Sequence, residues 1–493
     1  MKDKINSREI AMDILIEILE NGAYSHIVLR QALNKYQFLD KQDRALISRI
    51  VGGTLEHLLS IDAVLNQVAK PRVEKMKPLI RTLLRMSVYQ LLYLDKVPDS
   101  AVCNEAVKIA VKRKFTGLKG FVNGVLRSVS REKEVLFQEK FSEEALQALA
   151  FPDGVTPDEL RALTLYGSTE NKAYSEFLAR ASLTTSLPPW LLRRWIGELG
   201  WEETKRMALA FFREEPVSVR CNLSRASMEE ITQSLDKQGV SWRHSPYADK
   251  VLYLSGYNYL EGLEVFLQGW VQVQDVSSVL AGEAAEINEG DFILDVCAAP
   301  GGKSLHMADR LKGTGRVEAR DVSWAKTSMI EENICRCGFT NLNAVCQDAR
   351  VLTPEMVKKA DVVIADLPCS GLGIIGKKPD IKIKIKEESL HELASLQREI
   401  LSVVWQYVKP GGVLVYSTCT INQEENYENM QWLMEHYPFT AVDITKRFVP
   451  ELQTASMREG WMQFLPGKHG CDGFFVAVLK RKEMDEAQAK GKN

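Results

Sequence analysis

Between Gly290 and Lys480 short apolar runs (Phe292-Ile293-Leu294, Asp361–Ala365, Val413–Tyr416 and Phe474–Leu479) alternate with stretches of helical periodicity. That alternation is the pattern of a doubly wound α/β domain built on a parallel sheet. Ligands of such sheets bind in the crevice beyond the carboxyl ends of the strands. Four aspartates fall at those ends: Asp295 after the first run, Asp321 after Gly315–Arg320, Asp348 in Gln347-Asp348-Ala349, and Asp366 after Ala365. A single acid at a strand end is as readily a loop cap. Four on successive strands of one sheet point to a binding crevice.

The first strand runs into Asp295-Val296-Cys297-Ala298-Ala299-Pro300-Gly301-Gly302-Lys303-Ser304, and a helix is expected from near Lys303. Its small residues and paired glycines let the backbone approach a ligand closely. The loop is neither the spaced-glycine dinucleotide fingerprint nor a Walker A loop, because the glycine four residues earlier is absent and Pro300 lacks a donor N–H. A phosphate cradle is therefore disfavoured. Asp321 suits the two hydroxyls of a ribose, and Asp348 suits an exocyclic amine of adenine, so a nucleoside ligand fits better.

Nine cysteines at irregular spacing in a chain of 493 residues argue for thiols rather than a disulfide framework. Cys103, Cys221, Cys335 and Cys346 read as core. Cys335-Arg336-Cys337 with Cys346 matches no common zinc spacing and no histidine pair follows, so no metal site is expected. Cys369, in Ala365–Gly371, and Cys419, in Ser417-Thr418-Cys419-Thr420, each follow a strand end, fifty positions apart, and are expected to face one crevice. Two thiols and Asp366 suit chemistry on a cytosine ring. Carbon 5 of cytosine becomes nucleophilic when a thiolate adds to carbon 6, and release then needs loss of the carbon-5 proton, for which a second thiol or a base is useful. Asp366 would bond the cytosine edge and favour protonation of the ring nitrogen. Local positive charge and helix ends would activate Cys419. Spacing alone leaves open which cysteine attacks.

Ahead of this core, Ile10, Ile14, Leu15, Ile18 and Leu19 mark an amphipathic helix from Ser7, and Arg44–Val68, Leu79–Leu94 and a segment opened by Pro98 read as further helices. Residues 1–135 are expected to form an all-helical domain. Within it Lys108, Lys112, Arg113, Lys114 and Lys119 surround a Gly/Phe turn, as a phosphate-binding face or as a solvated helix face. Residues 136–186 read as a linker with short helices. Residues 187–285, with Pro188-Pro189 opening helices up to Phe212 and strand-like runs at Val217–Arg220, Val251–Leu254 and Trp270–Val273, read as a small α+β domain. The core spans 286–480, and 481–493 read as a charged frayed or disordered tail. A net charge of −2 excludes a chain that coats nucleic acid over its whole surface. No secretory, transit or membrane-spanning stretch is visible, so a cytoplasmic protein without a membrane partner is expected.

The motifs Asp295–Ser304, Ala365–Gly371, Ser417–Thr420 and His469-Gly470-Cys471-Asp472-Gly473-Phe474-Phe475 resemble those of the Nol1/Nop2/Sun family of RNA cytosine-5 methyltransferases. With a helical domain in front, nearly the whole chain resembles the branch whose substrate is small-subunit (16S) ribosomal RNA. The resemblance implies a multidomain chain with an all-α NusB-like RNA-binding domain, a small α+β RNA-binding domain and an α/β Rossmann-like methyltransferase core. It implies S-adenosylmethionine bound by Cys297, Ala298, Ala299, Pro300, Gly301, Gly302 and Lys303, with Asp321, Asp348 and Asp366 completing the site. It also implies Cys419 as nucleophile, Cys369 as the residue that assists product release, and Asp366 as activator of the cytosine. The expected partner is 16S ribosomal RNA free of the assembled subunit, met by a monomer. Transfer RNA is the alternative substrate; an RNA-binding or antitermination factor with a vestigial core is the alternative of another class. Gly376-Lys377 replaces the paired arginines usual in the family, keeping charge without bidentate geometry.

Overall fold

The computed structural model describes residues 6–153, 155, 171–213 and 215–483, so parts of the expected linker and most of the expected tail lie outside the described residues. The chain divides into two compact units, one of residues 1–213 with Ile375–Ile385, the other of 214–374 with 386–493.

The first unit is helical. Asn6 caps the helix Ser7–Leu19 by accepting from the Arg8 and Glu9 N–H groups, which satisfies two of the donors a helix start leaves free. Ile10, Ile14, Leu15 and Ile18 of that helix pack with Ile47, Ile50, Leu83, Leu84, Val122 and Leu126 in one core. The expected helix Arg44–Val68 is two helices, Lys41–Glu56 and Leu58–Val68. His57 leaves helical geometry between them, and its ring stacks on Tyr93 and Phe212 at centroid distances of 3.9 and 4.7 Å. Of the basic run, Lys108 pairs with Glu105, Lys112 with Glu9, and Arg113 with Glu9 and Asp13. Much of that charge is thus answered within the domain. Ile375–Ile385 is seated in this unit by Asp380, whose carboxylate accepts from the Ser25 N–H at 3.1 Å, from the Ser25 hydroxyl, and from Lys384 at 2.9 Å.

The second unit holds two sheets. Strands β1 (Val217–Cys221), β2 (Ser241–His244), β3 (Val251–Ser255) and β4 (Val271–Val273) form an antiparallel sheet in the order β2-β3-β1-β4. β2 has no apolar alternation because it is a largely exposed edge strand, and its sequence carries no strand signal. The larger sheet contains β5 (Phe292–Asp295), β6 (Arg316–Asp321), β7 (Leu342–Cys346), β8 (Ala360–Asp366), β9 (Val408–Thr418), β10 (Phe439–Ala441), β11 (Trp461–Phe464) and β12 (Phe474–Arg481). Its order is β10-β12-β9-β8-β5-β6-β7, with β11 beside β12. Strands β5 to β9 pair in parallel, whereas β12 pairs antiparallel with β9, β10 and β11. The sheet is therefore mixed rather than wholly parallel. The short link from Phe464 to Phe474 turns the chain back as a hairpin; a parallel strand would need a longer crossover. Among the described residues no helix is long and apolar enough to cross a membrane.

Candidate active site

Register brings the two cysteine loops together. Asp366 at the end of β8 lies beside Ser417 of β9, and the Ser417 hydroxyl donates to Asp366 Oδ1 at 2.9 Å. Beyond this pair the chain continues into Cys369 on one side and Cys419 on the other, with their sulfurs 3.3 Å apart. The Gly373 N–H donates to the Cys419 carbonyl at 3.1 Å. The hydrogen bond with Cys419 and burial hold the Cys369 thiol well above its ordinary range, helped by negative charge on Cys419, Glu425 and Asp366. Cys369 is thus held as a thiol, within hydrogen-bonding distance of the Cys419 sulfur.

Lys303 enters the same site from the helix Gly302–Arg310. Its ammonium donates to Asp366 Oδ2 at 2.7 Å and to the Ser278 hydroxyl at 3.0 Å, and lies 4.8 Å from the Phe474 ring centroid. The cofactor loop and Asp366 are therefore joined by a partly buried ion pair spanning 63 positions, a link that spacing does not reveal.

The loop after β5 turns at Gly301, whose φ of 101° favours glycine. Asp321 Oδ2 accepts from the Ala299 N–H at 3.0 Å, and its Oδ1 from the Val322 N–H at 2.8 Å. Burial pushes the Cys297 thiol far up, and Asp321, Asp295 and Asp366 add to the effect. Three of the four strand-end carboxylates thus converge on this loop. Asp295 is fully buried and pushed up to about 7, chiefly by burial and also by Asp366; the Ser304 hydroxyl bond at 2.6 Å and Lys303 oppose the rise. Asp348 stands two residues past β7 and is bound by Arg350, whose backbone N–H lies at 2.9 Å and guanidinium at 2.8 Å. Those bonds lower its pKa.

The His469–Phe475 motif folds against the same unit. His469 Nδ1 accepts from the Leu465 N–H at 2.9 Å, and burial lowers its pKa to about 4, so the ring is neutral. The Gly473 N–H donates to the Gly373 carbonyl at 2.9 Å. A Cβ on Gly373 would lie 1.9 Å from the Gly473 oxygen, so glycine is required where these loops touch. Sequence reasoning did not single out Ser278, Ser417 or Glu425, which the site uses; Ser417 alone had a signal, its place two residues before Cys419. Cys335, expected in the core, is exposed, and Cys346 is half-buried. Cys335 lies on a helix face turned outward, whereas Cys337 is buried. No group of three or more potential metal ligands occurs among the described residues.

Residues 283–480 match the family described as 16S rRNA methyltransferase RsmB/F. Residues 5–131 match the NusB family, and 187–259 match the ferredoxin-like domain of RsmF/B-like methyltransferases. The chain is 33% identical to the probable ribosomal RNA small subunit methyltransferase B of Bacillus subtilis (strain 168) over 483 residues, 97% of this chain and 99% of that one. It is 31% identical to ribosomal RNA small subunit methyltransferase B of Serratia proteamaculans (strain 568), over 97% of this chain and 99% of that one. The chain belongs to the RsmB/F methyltransferase family. Among solved structures, PH0851 superposes with a TM-score of 0.76 at 26% identity, covering 98% of this chain and 100% of that one. NSun6 from Pyrococcus horikoshii with SFG shares the fold, with a TM-score of 0.54 at 23% identity over 60% of this chain and 99% of that one.

As an RsmB/F methyltransferase the protein depends on S-adenosylmethionine, and the loop after β5 fits that cofactor. Asp321, paired with Lys326 at 3.0 Å, and Asp366, paired with Lys303 at 2.7 Å, put carboxylate oxygens beside this loop, which suits a ligand carrying ribose hydroxyls, a sulfonium and an amino group. Its NusB-like and Rossmann-like parts are those expected from the sequence, and the ferredoxin-like part answers to the expected small α+β domain.

Proposed function

We propose that this chain methylates carbon 5 of a cytosine in 16S ribosomal RNA through a covalent adduct with Cys419. The observation that carries this reading is the thiol pair at 3.3 Å beside the Asp366–Lys303 pair at the carboxyl end of the sheet. The relatives' names supply the RNA. The helical domain 1–135 and the small domain 187–285 would hold the RNA, with the core 286–480 receiving a cytosine turned out of its stack.

Cys297–Lys303 would hold S-adenosylmethionine with Asp321, Asp366 and Asp348. When bound, the cofactor supplies an electrophilic methyl group. The Cys419 thiolate adds to carbon 6, and Asp366, steadied by Lys303 and Ser417, favours a proton on the ring nitrogen, so that electron density collects at carbon 5. Cys369 keeps its own proton at this stage, since the neighbouring sulfur and burial hold its thiol well above its ordinary range. That arrangement favours Cys419 as the attacker. Once Cys419 is bonded to carbon, its negative charge no longer holds the proton on Cys369. Cys369 then loses that proton to solvent and takes the one from carbon 5; the ring double bond re-forms and the Cys419 thiolate leaves.

The test is denaturing electrophoresis of each variant with labelled cofactor and RNA. Cys419→Ala should form no RNA adduct and no 5-methylcytosine. Cys369→Ala should accumulate an adduct that resolves slowly. An adduct in Cys419→Ala and none in Cys369→Ala would reverse the roles, and label in transfer RNA alone would exclude the ribosomal substrate.

A further inference from the structure

Glu425 has no role in the steps above, yet it is fully buried within the site. Its carboxylate accepts four hydrogen bonds. The Ser370 N–H reaches Oε2 at 2.9 Å and the Ser370 hydroxyl reaches Oε1 at 2.5 Å. Gln397 donates to Oε2 at 3.0 Å and Asn422 to Oε1 at 3.1 Å. The Glu425 carbonyl also accepts from the Tyr416 hydroxyl, which fixes the backbone of the same residue to β9. A buried carboxylate persists only when its lone pairs are met in this way.

The direction of these bonds has a consequence for both thiols. Ser370 follows Cys369, and Thr420 follows Cys419. The Ser370 hydroxyl has one proton and gives it to Glu425, so in the 2.7 Å contact with Thr420 the threonine hydroxyl donates. A single polarised chain then runs from Thr420 through Ser370 to Glu425 and ties the two cysteine loops together. Glu425 grips the Cys369 loop twice, by N–H and hydroxyl. At Cys419's own neighbour it reaches the second loop only indirectly, through Thr420, with a direct bond from Asn422 three residues past the sulfur, and that loop is also held by β9 and by the Gly373 N–H.

We propose that Glu425 is the positioning residue of the thiol pair, fixing Cys369 against Cys419 through Ser370 and Thr420. It touches neither sulfur. Its loss releases Cys369 before it disturbs Cys419, so resolution of the adduct suffers more than its formation; this consequence rests on the thiol roles given under Proposed function. Glu425→Gln keeps the volume but sets an amide N–H against one of four donors, which reverses the chain's polarity.

Two measurements on the full chain test the proposal. In the first, Glu425→Gln with RNA and S-adenosylmethionine should accumulate covalent adduct as Cys369→Ala does, with turnover reduced about 10²-fold and cofactor affinity within about twofold of the wild type. In the second, the rate of Cys369–Cys419 disulfide formation is followed by peptide mass after diamide, which takes up two electrons and both thiol protons to become the hydrazine. That rate should fall at least about fivefold in Glu425→Gln, since it reads how often the two sulfurs meet. Ser370→Ala, which loses the hydroxyl arm and keeps the backbone arm, should fall between. Wild-type turnover in Glu425→Gln, or loss of cofactor binding together with adduct formation, overturns the proposal. So does an unchanged disulfide rate. If Cys369→Ala itself traps no adduct, the assigned thiol roles fail, and the disulfide rate still decides whether Glu425 sets the geometry.

Discussion

Replacing Asp295 by asparagine should remove a pH dependence of stability that the wild-type protein carries. The Asp295 carboxyl is fully buried at the end of β5, and its pKa is raised from 3.8 to about 7. A raised folded-state pKa means that folding favours the protonated form. The resulting stability is complete below the unfolded value near 4 and is lost as pH rises through about 7. A difference of about 3 units corresponds to about 4 kcal/mol in total, and about 2 kcal/mol of it lies between pH 5 and pH 7. The asparagine side chain keeps the shape and an oxygen for the Ser304 hydroxyl, but it cannot ionise. Urea unfolding of the unit that contains β5, followed for both proteins at pH 5, 6, 7 and 8, isolates the effect because every other titrating group cancels in the difference. The stability of Asp295→Asn relative to the wild type should climb by about 2 kcal/mol from pH 5 to pH 7 and flatten by pH 8. Parallel curves, whatever their offset, would refute the argument that burial and the charge of Asp366 dominate over Ser304 and Lys303 at this carboxyl.

Two further outcomes follow from the same contacts. Lys303→Met removes the ammonium that pairs with Asp366 at 2.7 Å; single-turnover methylation should slow by about 10²-fold or more, and a rate within twofold of the wild type would remove Lys303 from the reaction. Gly373→Ala drives a methyl group toward the Gly473 carbonyl and should lower stability by about 1–3 kcal/mol, seen as a lower urea midpoint; an unchanged midpoint would show that the loops separate freely.

What could be read from sequence was whatever depends on local pattern. Asp366 was placed at a strand end because the apolar run before it is unbroken, and Asp321 because it closes an alternating stretch, and the structure ends β8 and β6 on those residues. Asp348 follows a strand that stops at Cys346, and its carboxylate is held by Arg350 in the turn. Periodicity fixes a strand end only to within a couple of residues. The break at His57 was hidden because the residues on either side keep helical spacing; stacking on Tyr93 and Phe212, distant in sequence, accompanies it. Glu425 shows the limit most clearly. It sits next to Glu424 in a polar run that reads as surface, yet Glu425 is buried with four donors while Glu424 keeps part of its surface. Only the packing of β9 against the Ser370 loop distinguishes the two.

The same packing explains why three cysteines near one crevice need not share one chemistry. Carboxylates that suit a cationic cofactor oppose the formation of a thiolate, and Cys297, nearest to Asp295, Asp321 and Asp366, is held far above the range in which a thiol ionises. A nucleophile in that loop would be inert. The thiol pair instead lies past β8 and β9, where Lys303 answers the charge of Asp366. Within the pair, the hydrogen bond with Cys419 and burial hold the Cys369 thiol well above its ordinary range. In the reaction proposed above, one sulfur of the pair attacks while its neighbour still carries a proton. On those proposed roles Cys369 can serve as a base only after the Cys419 thiolate has been consumed at carbon 6, so charge alone would place attack before release.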